Sequence, residues 1–328
     1  MPDAKDYRRI VIDARRKQLR LTATNVKRLE ATFNAASESI AQKIEALPAE
    51  RIGTPWHRAQ LQLLADIRTV TASLSKDYRN LLEAGMVELA QSAAERETAV
   101  AEFIGAAKDP QLAISYTESF PLTNGQSVSV SFGNLALRAV ERVTTRYYGD
   151  GLALSHRLYK LDQKTTRVIE DVLAQGIIEG TAARDLAKQL RSAMAELTHD
   201  GQPPPRYQAM RIARTEINNA HREASIRAVE TSPGVLKEYV TGIRWNLSAS
   251  HPAADICDLY ATREAGLGPG VYLPADFPVS HPHCLCFTTH VLKEMPESGI
   301  GGKVPEPDAV PDNQRRQFNE QFAQGVAV

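Results

Sequence analysis

Apolar residues recur every three or four positions along the first hundred residues, a spacing typical of helices that bury one narrow face. The first such stripe consists of Val26, Leu29, Phe33, Ala36, Ile40, Ile44 and Leu47. Pro48 should end this helix, and Thr54-Pro55 should begin another, because threonine caps helices and proline fits their first turn. The second stripe consists of Leu61, Leu64, Ile67, Leu74, Tyr78, Leu81, Leu89 and Phe103. The pattern predicts an antiparallel helical hairpin, a long arm over residues 1–110.

From residue 111 the pattern mixes helices with short strands. Ser127–Phe132 alternates with period two after the turn signal Asn124-Gly125, which predicts a small β-hairpin. Helical periodicity returns over residues 134–147, in two helices over 155–194 that are divided at Gly180-Thr181, and over 206–229. Strands are expected at Leu236–Leu247 and Leu285–Leu292, with a long loop between them.

These elements define the expected fold class as mainly α, of the α+β type. A long amino-terminal helical arm would precede a compact α+β domain with a small antiparallel sheet over residues 111–295. Residues 296–328 are rich in Gly, Pro, Asp and Gln and are expected to form a flexible tail.

Composition narrows the class of protein further. Of 328 residues, 43% are hydrophobic and 24% are charged, which is typical of a globular chain and excludes a wholly disordered one. No apolar run approaches the roughly 20 residues that cross a bilayer, and the charged start is unlike a secretory signal. Three cysteines exclude a disulfide scaffold. The formal net charge of zero gives no global positive field of the kind that attracts nucleic acids.

The first thirty residues nevertheless carry a local positive excess, nine basic residues against four acidic ones. One interpretation is a solvated helix face, and the other is a contact with phosphates or with an acidic partner. The candidate contact residues are Arg8, Arg9, Arg15, Arg16, Lys17 and Arg20.

All three cysteines, Cys257, Cys284 and Cys286, lie in the last third of the chain, close to His251 and His281. Zinc prefers thiolate and imidazole ligands, and either histidine would complete a set of four around a structural ion. In a strand Cys284 and Cys286 would face opposite sides, so a shared metal requires the strand to begin after Cys284. The alternative is that the cysteines pack as small apolar side chains without metal.

The helix over residues 206–229 carries the polar residues Arg214, Glu216 and Arg222. They would form either an acid/base or phosphate site, or buried charge pairs that fix the helix to its neighbours, and the second interpretation is favoured. No phosphate loop, nucleophile elbow or His-Glu-x-x-His motif occurs, so no catalytic residue is predicted.

The order of motifs over about residues 135–295 resembles a known family. The motifs are Ala213-Arg-Thr-Glu216, Ala220-His-Arg222, Asp255-Ile-Cys257-Asp258 and His281-Pro-His-Cys284-Leu-Cys286, with a tryptophan-bearing strand between the second and third. As a set they resemble the phage Mu F-like minor head proteins, also called head morphogenesis proteins. One departure is Tyr260, where many members carry a second cysteine.

The resemblance implies a structural protein of a tailed-phage or prophage head, acting in few copies at the portal vertex in assembly and in DNA packaging or delivery. It implies a place in the virion, and in the host cytoplasm during assembly. Portal protein and other capsid proteins would be its partners, ahead of non-specific double-stranded DNA, and no membrane partner is expected. The protein is not expected to be an enzyme; the alternative is a metal-dependent hydrolase or toxin-associated domain that uses the Cys/His loop.

Overall fold

A computed structural model describes residues 4–47, 54–108, 120–121, 127–128, 132–148, 151–179, 181–195, 203–231, 235–248, 251 and 255–293. Most of these residues are helical, and a small antiparallel sheet lies towards the carboxy terminus. The predicted fold class is therefore confirmed. The expected tail, residues 296–328, lies outside the described residues.

Two long helices form the amino-terminal third, α1 (Ala4–Glu45) and α2 (Thr54–Lys108). Both agree with the predicted stop before Pro48 and the predicted start at Thr54. The apolar stripe of α1 is largely buried, but Leu64 of α2 is 41% exposed, contrary to its predicted place in the second stripe.

In its described residues, the middle of the chain contains a short hairpin and four helices. Strands β1 (Phe120–Pro121) and β2 (Ser127–Val128) pair antiparallel, as predicted, while Asn124-Gly125 lies outside the described residues. The helices are α3 (Phe132–Thr145), α4 (Leu154–Ile178), α5 (Ala183–Ala195) and α6 (Pro205–Thr231).

The carboxy-terminal sheet has the strand order β4-β3-β5, and central β3 pairs antiparallel with both neighbours. Its elements are α7 (Val235–Tyr239), β3 (Val240–Asn246), α8 (Ile256–Thr262), β4 (Val271–Tyr272) and β5 (Phe287–Leu292). The strand predicted from Leu236 was wrong in its first part, because 235–239 is a helical turn and lacks the alternation of a strand. The predicted long loop contains α8 and β4.

Contacts divide the chain into two compact units that do not follow the predicted boundary at residue 110. Unit 1 comprises Met1–Ala23, Gly85–Gly151 and Arg214–Val328, and unit 2 comprises Thr24–Ala84 and Leu152–Ala213. The two long helices therefore do not form a module of their own.

Unit 1 has a core that joins the beginning of α1 to the sheet. Tyr7 and Val11 belong to the same buried cluster as Ile226 of α6, Ile243 of β3 and Phe287 of β5. The first turns of α1 are therefore anchored in unit 1, because their apolar face is buried in this core.

Unit 2 is built from helices alone in its described residues. Phe33 of α1 and Tyr78 of α2 meet edge to face with ring centroids 5.7 Å apart, and the Tyr78 hydroxyl donates to the Ala209 carbonyl at 2.7 Å. At its surface Arg191 of α5 forms ion pairs with Glu38 and Glu45 of α1. Among the described helices, none combines the length and the hydropathy needed to cross a bilayer.

Among the described residues, strand β5 pairs with β3 on one side, and on its other side it and the segment before it are bonded by side chains. We call the backbone groups of residues 284–290 on that side the sealed edge. Four side chains donate to its carbonyls: Tyr7 to His290, Arg15 to Leu285, Arg96 to Thr288, and Arg222 to Cys284 and Cys286. An edge covered in this way cannot pair with a further strand.

Candidate metal centre

The three cysteines come together in the interior of unit 1. Cys257 lies in the first turn of α8, while Cys284 and Cys286 lie in the segment that leads into β5. Their exposed fractions are 0–2%, and the Sγ atoms of Cys257 and Cys284 are 3.5 Å apart. All three sulfur atoms lie within 4.8 Å of one another.

Local chain geometry explains how Cys284 and Cys286 reach the same place. Strand β5 begins at Phe287, after both cysteines, so the alternation of a strand does not separate them. His283 adopts a left-handed conformation with φ of 61°, and the Cys284 N–H donates to the His281 carbonyl at 3.3 Å. This turn positions both thiols beside Cys257.

Cys257 is held by the cap of α8. The Asp255 carboxylate accepts a bond from the Cys257 N–H at 2.6 Å, and the Asp258 carboxylate accepts one from the Asp255 N–H at 2.7 Å. This reciprocal pair satisfies N–H groups that would otherwise be orphaned at a helix start. The helix therefore begins at Ile256, and its first turn holds Cys257 in the cluster.

An aromatic wall encloses the cluster. The Trp245 ring stacks on Phe277 with centroids 5.5 Å apart and meets Tyr260 edge to face at 5.1 Å. Tyr260, the residue that departs from the family pattern, therefore contributes an aromatic contact. A fourth metal ligand would come from another side chain beside the cluster.

The two candidate histidines occupy different places. His281 Nε2 lies 3.2 Å from Asp255 Oδ2, while its Nδ1 donates to the Pro282 carbonyl at 2.7 Å. Ligand atoms of Asp255, Cys257 and His281 lie within 4.8 Å of one another. His251 groups with the two carboxylates of the cap, and its Nε2 is 2.8 Å from Asp258 Oδ2. His281 is therefore the histidine adjacent to the thiols.

Burial, hydrogen bonds and neighbouring charges shift the pKa values of the thiols and of His281 in different directions. A hydrogen bond to Cys284 is the main cause that raises the pKa of Cys257. Burial acts to raise the pKa of Cys284, but bonds from the other two thiols and the charge of Arg222 outweigh it and hold this pKa well below its usual range. Burial opposes protonation of His281, yet the Asp255 carboxylate and Cys284 raise its pKa to about 10. These effects favour negative charge at Cys284 and positive charge at His281.

The three sulfurs are grouped as zinc ligands would be, and His281, which is grouped with Cys257 and Asp255, would complete the set from beside Cys257. Three sulfurs and an imidazole nitrogen are the ligands that zinc takes in structural sites. The Nδ1 bond to a backbone carbonyl leaves Nε2 of His281 as the atom that would coordinate, and Nε2 would release its proton when the ion binds. Burial of the thiols favours a structural ion over a catalytic one, which needs an open position.

The polar residues of α6 are mostly buried. Arg222 Nη2 lies 3.2 Å from Cys284 Sγ, so this residue contacts the cluster directly. Glu216 is buried and accepts a hydrogen bond from the Tyr148 hydroxyl. Arg214 is half-buried, and its carbonyl accepts a bond from the Asn218 amide at 3.0 Å.

The basic start of α1 does not act as one surface. Arg15 is only 3% exposed, donates to the sealed edge and lies over the Phe287 ring, so it is not available to a phosphate. Its inclusion among the candidate contact residues was wrong, because its side chain points into unit 1. Arg9 and Arg16 form ion pairs with Asp6 and Asp13 of the same helix, and Lys17 forms one with Glu95 of α2. Arg8 and Arg20 are exposed.

Sequence reasoning missed a buried ionic group beside the sealed edge. The Glu97 carboxylate accepts from Arg96 Nε at 2.9 Å and lies 3.1 Å from His290 Nε2. Neighbouring Arg96 and Glu97 carry no recognisable spacing signal. The sequence does carry a signal for the neighbouring part of α1. Tyr7, Val11 and Arg15 follow one another at intervals of four, which continues the buried face of α1 to its beginning.

Comparisons with protein-family models, with curated proteins and with solved structures give no match to this chain. The resemblance to the phage Mu F-like minor head proteins therefore stays a prediction from the motifs.

Proposed function

We propose that the chain is a structural minor head protein of a tailed phage or prophage, acting in head assembly at the portal vertex. One observation carries the proposal: motifs that are distant in sequence meet in a single buried cluster. Arg222 contacts Cys284, the Thr215 hydroxyl accepts from the His283 N–H at 3.0 Å, and Asp255 meets His281. A motif set that packs together in this way is a unit of folding, which suits a structural domain.

Zinc is the proposed ion of this centre. Cys257, Cys284 and Cys286 would hold it together with His281, and the ion would tie α8 to the segment before β5. Because such a site does not preform in an unfolded chain, metal binding contributes directly to folding.

The proposed partners are the portal and other capsid proteins. The exposed face of Arg8, Arg9, Arg16 and Arg20 has acids among its basic residues, which makes it a poor track for continuous DNA phosphates. Contact with an acidic protein surface is therefore favoured over double-stranded DNA. The particle would hold the protein in the virion, after assembly in the host cytoplasm.

Particle analysis tests the head function. Purified heads from the phage or induced lysogen that encodes this chain should contain it in far fewer copies than the major capsid protein, and cross-linking should join it to the portal. A stop codon early in its gene should abolish infectious particles. Normal infectious heads that lack the protein would contradict the proposal.

Metal analysis tests the centre separately. Protein purified under reducing conditions should contain about one zinc ion per chain. Cys257→Ala should lose both the ion and thermal stability, whereas His156→Ala, at an exposed position on α4, should keep both. Stable, metal-free wild-type protein would leave cysteine packing as the account.

One group of residues favours the alternative of a metal-dependent hydrolase. His251, Asp255 and Asp258 form a partly exposed set that could bind a second ion. Two of its members already cap α8, so we rank this function second. Divalent-metal-dependent cleavage of DNA or a phosphodiester that disappears in His251→Ala would establish it.

A further inference from the structure

We infer that Arg222 balances the charge of the thiolate centre and holds Cys284 in place as a metal ligand. This role rests on the proposed zinc centre and adds to it a positioning residue that does not itself bind the ion. The residue lies in the middle of α6 and is buried.

One guanidinium nitrogen of Arg222 reaches three atoms of the ligand segment. Its Nη2 lies 3.2 Å from Cys284 Sγ, 3.2 Å from the Cys284 carbonyl and 2.6 Å from the Cys286 carbonyl. The same contact therefore fixes the backbone on both sides of Leu285 and the sulfur of Cys284. A hydrogen bond from a charged donor to a ligand atom is the usual outer contact that orients metal ligands.

Charge requires such a residue. Three thiolates, a neutral imidazole and a divalent ion leave one net negative charge, and an unpaired buried charge is costly. Arg222 supplies one positive charge against the sulfur. Lysine would supply the charge but not the planar set of donors that bonds several acceptors at once.

The second terminal nitrogen of Arg222, Nη1, makes hydrogen bonds that hold the side chain in place. Its Nη1 donates to the Ser280 hydroxyl at 2.8 Å and to the Asn219 amide oxygen at 3.1 Å. The Asn219 amide nitrogen donates to the Tyr148 hydroxyl at 3.2 Å. Ser280 and Asn219 therefore fix the rotamer that brings Nη2 to Cys284.

Cobalt substitution gives the test, because the sulfur-to-cobalt charge-transfer band reports on the thiolates themselves. Arg222→Gln and Arg222→Lys should bind Co²⁺ about 10–100-fold more weakly than wild type. Their band should move to longer wavelength, because a thiolate that loses its hydrogen bond gives up electrons more easily. Arg227→Gln is the matched control: it removes an arginine of the same helix that pairs with Glu223 and Glu230, and both readouts should stay unchanged.

Ser280→Ala keeps Arg222 and removes one of its supports, so it guards against a folding failure of the first variants. It should shift the band in the same direction by a smaller amount. If folded Arg222→Gln binds Co²⁺ with wild-type affinity and its charge-transfer band does not move, the proposed role of Arg222 is overturned. If the Arg222 variants do not fold, the same two results in Ser280→Ala overturn it. Absence of cobalt binding by wild-type protein would instead overturn the metal centre, and the role of Arg222 with it.

Discussion

The Tyr7 hydroxyl offers a sharp test of how α1 is anchored in unit 1. It donates to the His290 carbonyl at 3.0 Å and accepts from the His290 N–H at 2.9 Å. Tyr7→Phe removes only this oxygen and leaves the ring, which packs against Phe103 with centroids 6.0 Å apart. The perturbation is therefore confined to the sealed edge.

The cost follows from the two groups left behind. Both belong to the backbone of a buried strand, and a buried polar group that loses its partner costs about 1–3 kcal/mol. With one donor and one acceptor affected, and the carbonyl the more tolerant of the two, we expect the free energy of unfolding of unit 1 to fall by about 2–4 kcal/mol.

Fluorescence can restrict the measurement to unit 1. The chain has two tryptophans, Trp56 and Trp245, and Trp245 is buried beside the cysteines. In a Trp56→Phe background, urea unfolding followed by fluorescence reports on unit 1 alone. Tyr147→Phe is the control, because this ring belongs to unit 1 and is 68% exposed, so the loss of its hydroxyl should change stability by less than about 0.5 kcal/mol.

A free helical arm would give a different result. If the first turns of α1 only projected into solvent, Tyr7→Phe would unfold at the same urea concentration as its parent. That outcome would refute the anchoring of α1 at the sealed edge. For the same reason, deletion of residues 1–30 is expected to destabilise unit 1 and cannot isolate the role of the basic residues.

Three further predictions follow from other contacts. Burial lowers the pKa of His221 and of His290, so below about pH 6.5 the unfolded chain binds more protons than the folded one. Unit 1 should therefore lose stability as the pH falls from about 6.5 to 5. A urea midpoint that does not change with pH would contradict this. Gly270→Ala should lower the stability of unit 1 by about 2–4 kcal/mol in thermal melts, because φ is 68° and a Cβ would lie 2.4 Å from the Ala261 carbonyl oxygen. Gly266→Ala is the control: its φ is 87° and a Cβ there would meet open space, so the variant should lose only about 1 kcal/mol of stability. Replacing exposed Arg9, Arg16 and Arg20 together with glutamine should leave the melting temperature unchanged but reduce incorporation into heads, and normal incorporation would mark this face as merely solvated.

Local signals explain the parts of the fold that the sequence predicts well. Pro48 and Thr54-Pro55 mark the ends of α1 and α2 because proline restricts the backbone whatever its surroundings. Strand β4 has only two residues, too few for any periodic pattern. Helix α8 did have a signal, since Asp255 and Asp258 stand at capping-box spacing, although the usual partner is glutamate or glutamine.

The candidate site shows a similar division between composition and geometry. Cys257, Cys284 and Cys286 can be predicted as candidate ligands from the sequence, because few other residues share their chemistry. It cannot choose between His251 and His281, since that choice depends on the left-handed turn at His283. Arg222 is recognisable as a polar residue of α6, but its contact with a sulfur 62 residues away depends on tertiary packing alone.

The bond between Tyr7 and His290 joins residues 283 positions apart, and this separation sets a timetable for folding during translation. At about 5–20 residues per second, a ribosome needs roughly 15–60 s to add β5 after it has made the first turns of α1. Throughout that interval Tyr7, Val11 and Arg15 have no native strand to cover. In a nascent chain at this stage, the apolar face and its arginine are accessible to chaperones and proteases. They stay accessible in a product that ends before β5. Unit 1 therefore closes only after β5 has been translated, because the first turns of α1 are buried against that strand.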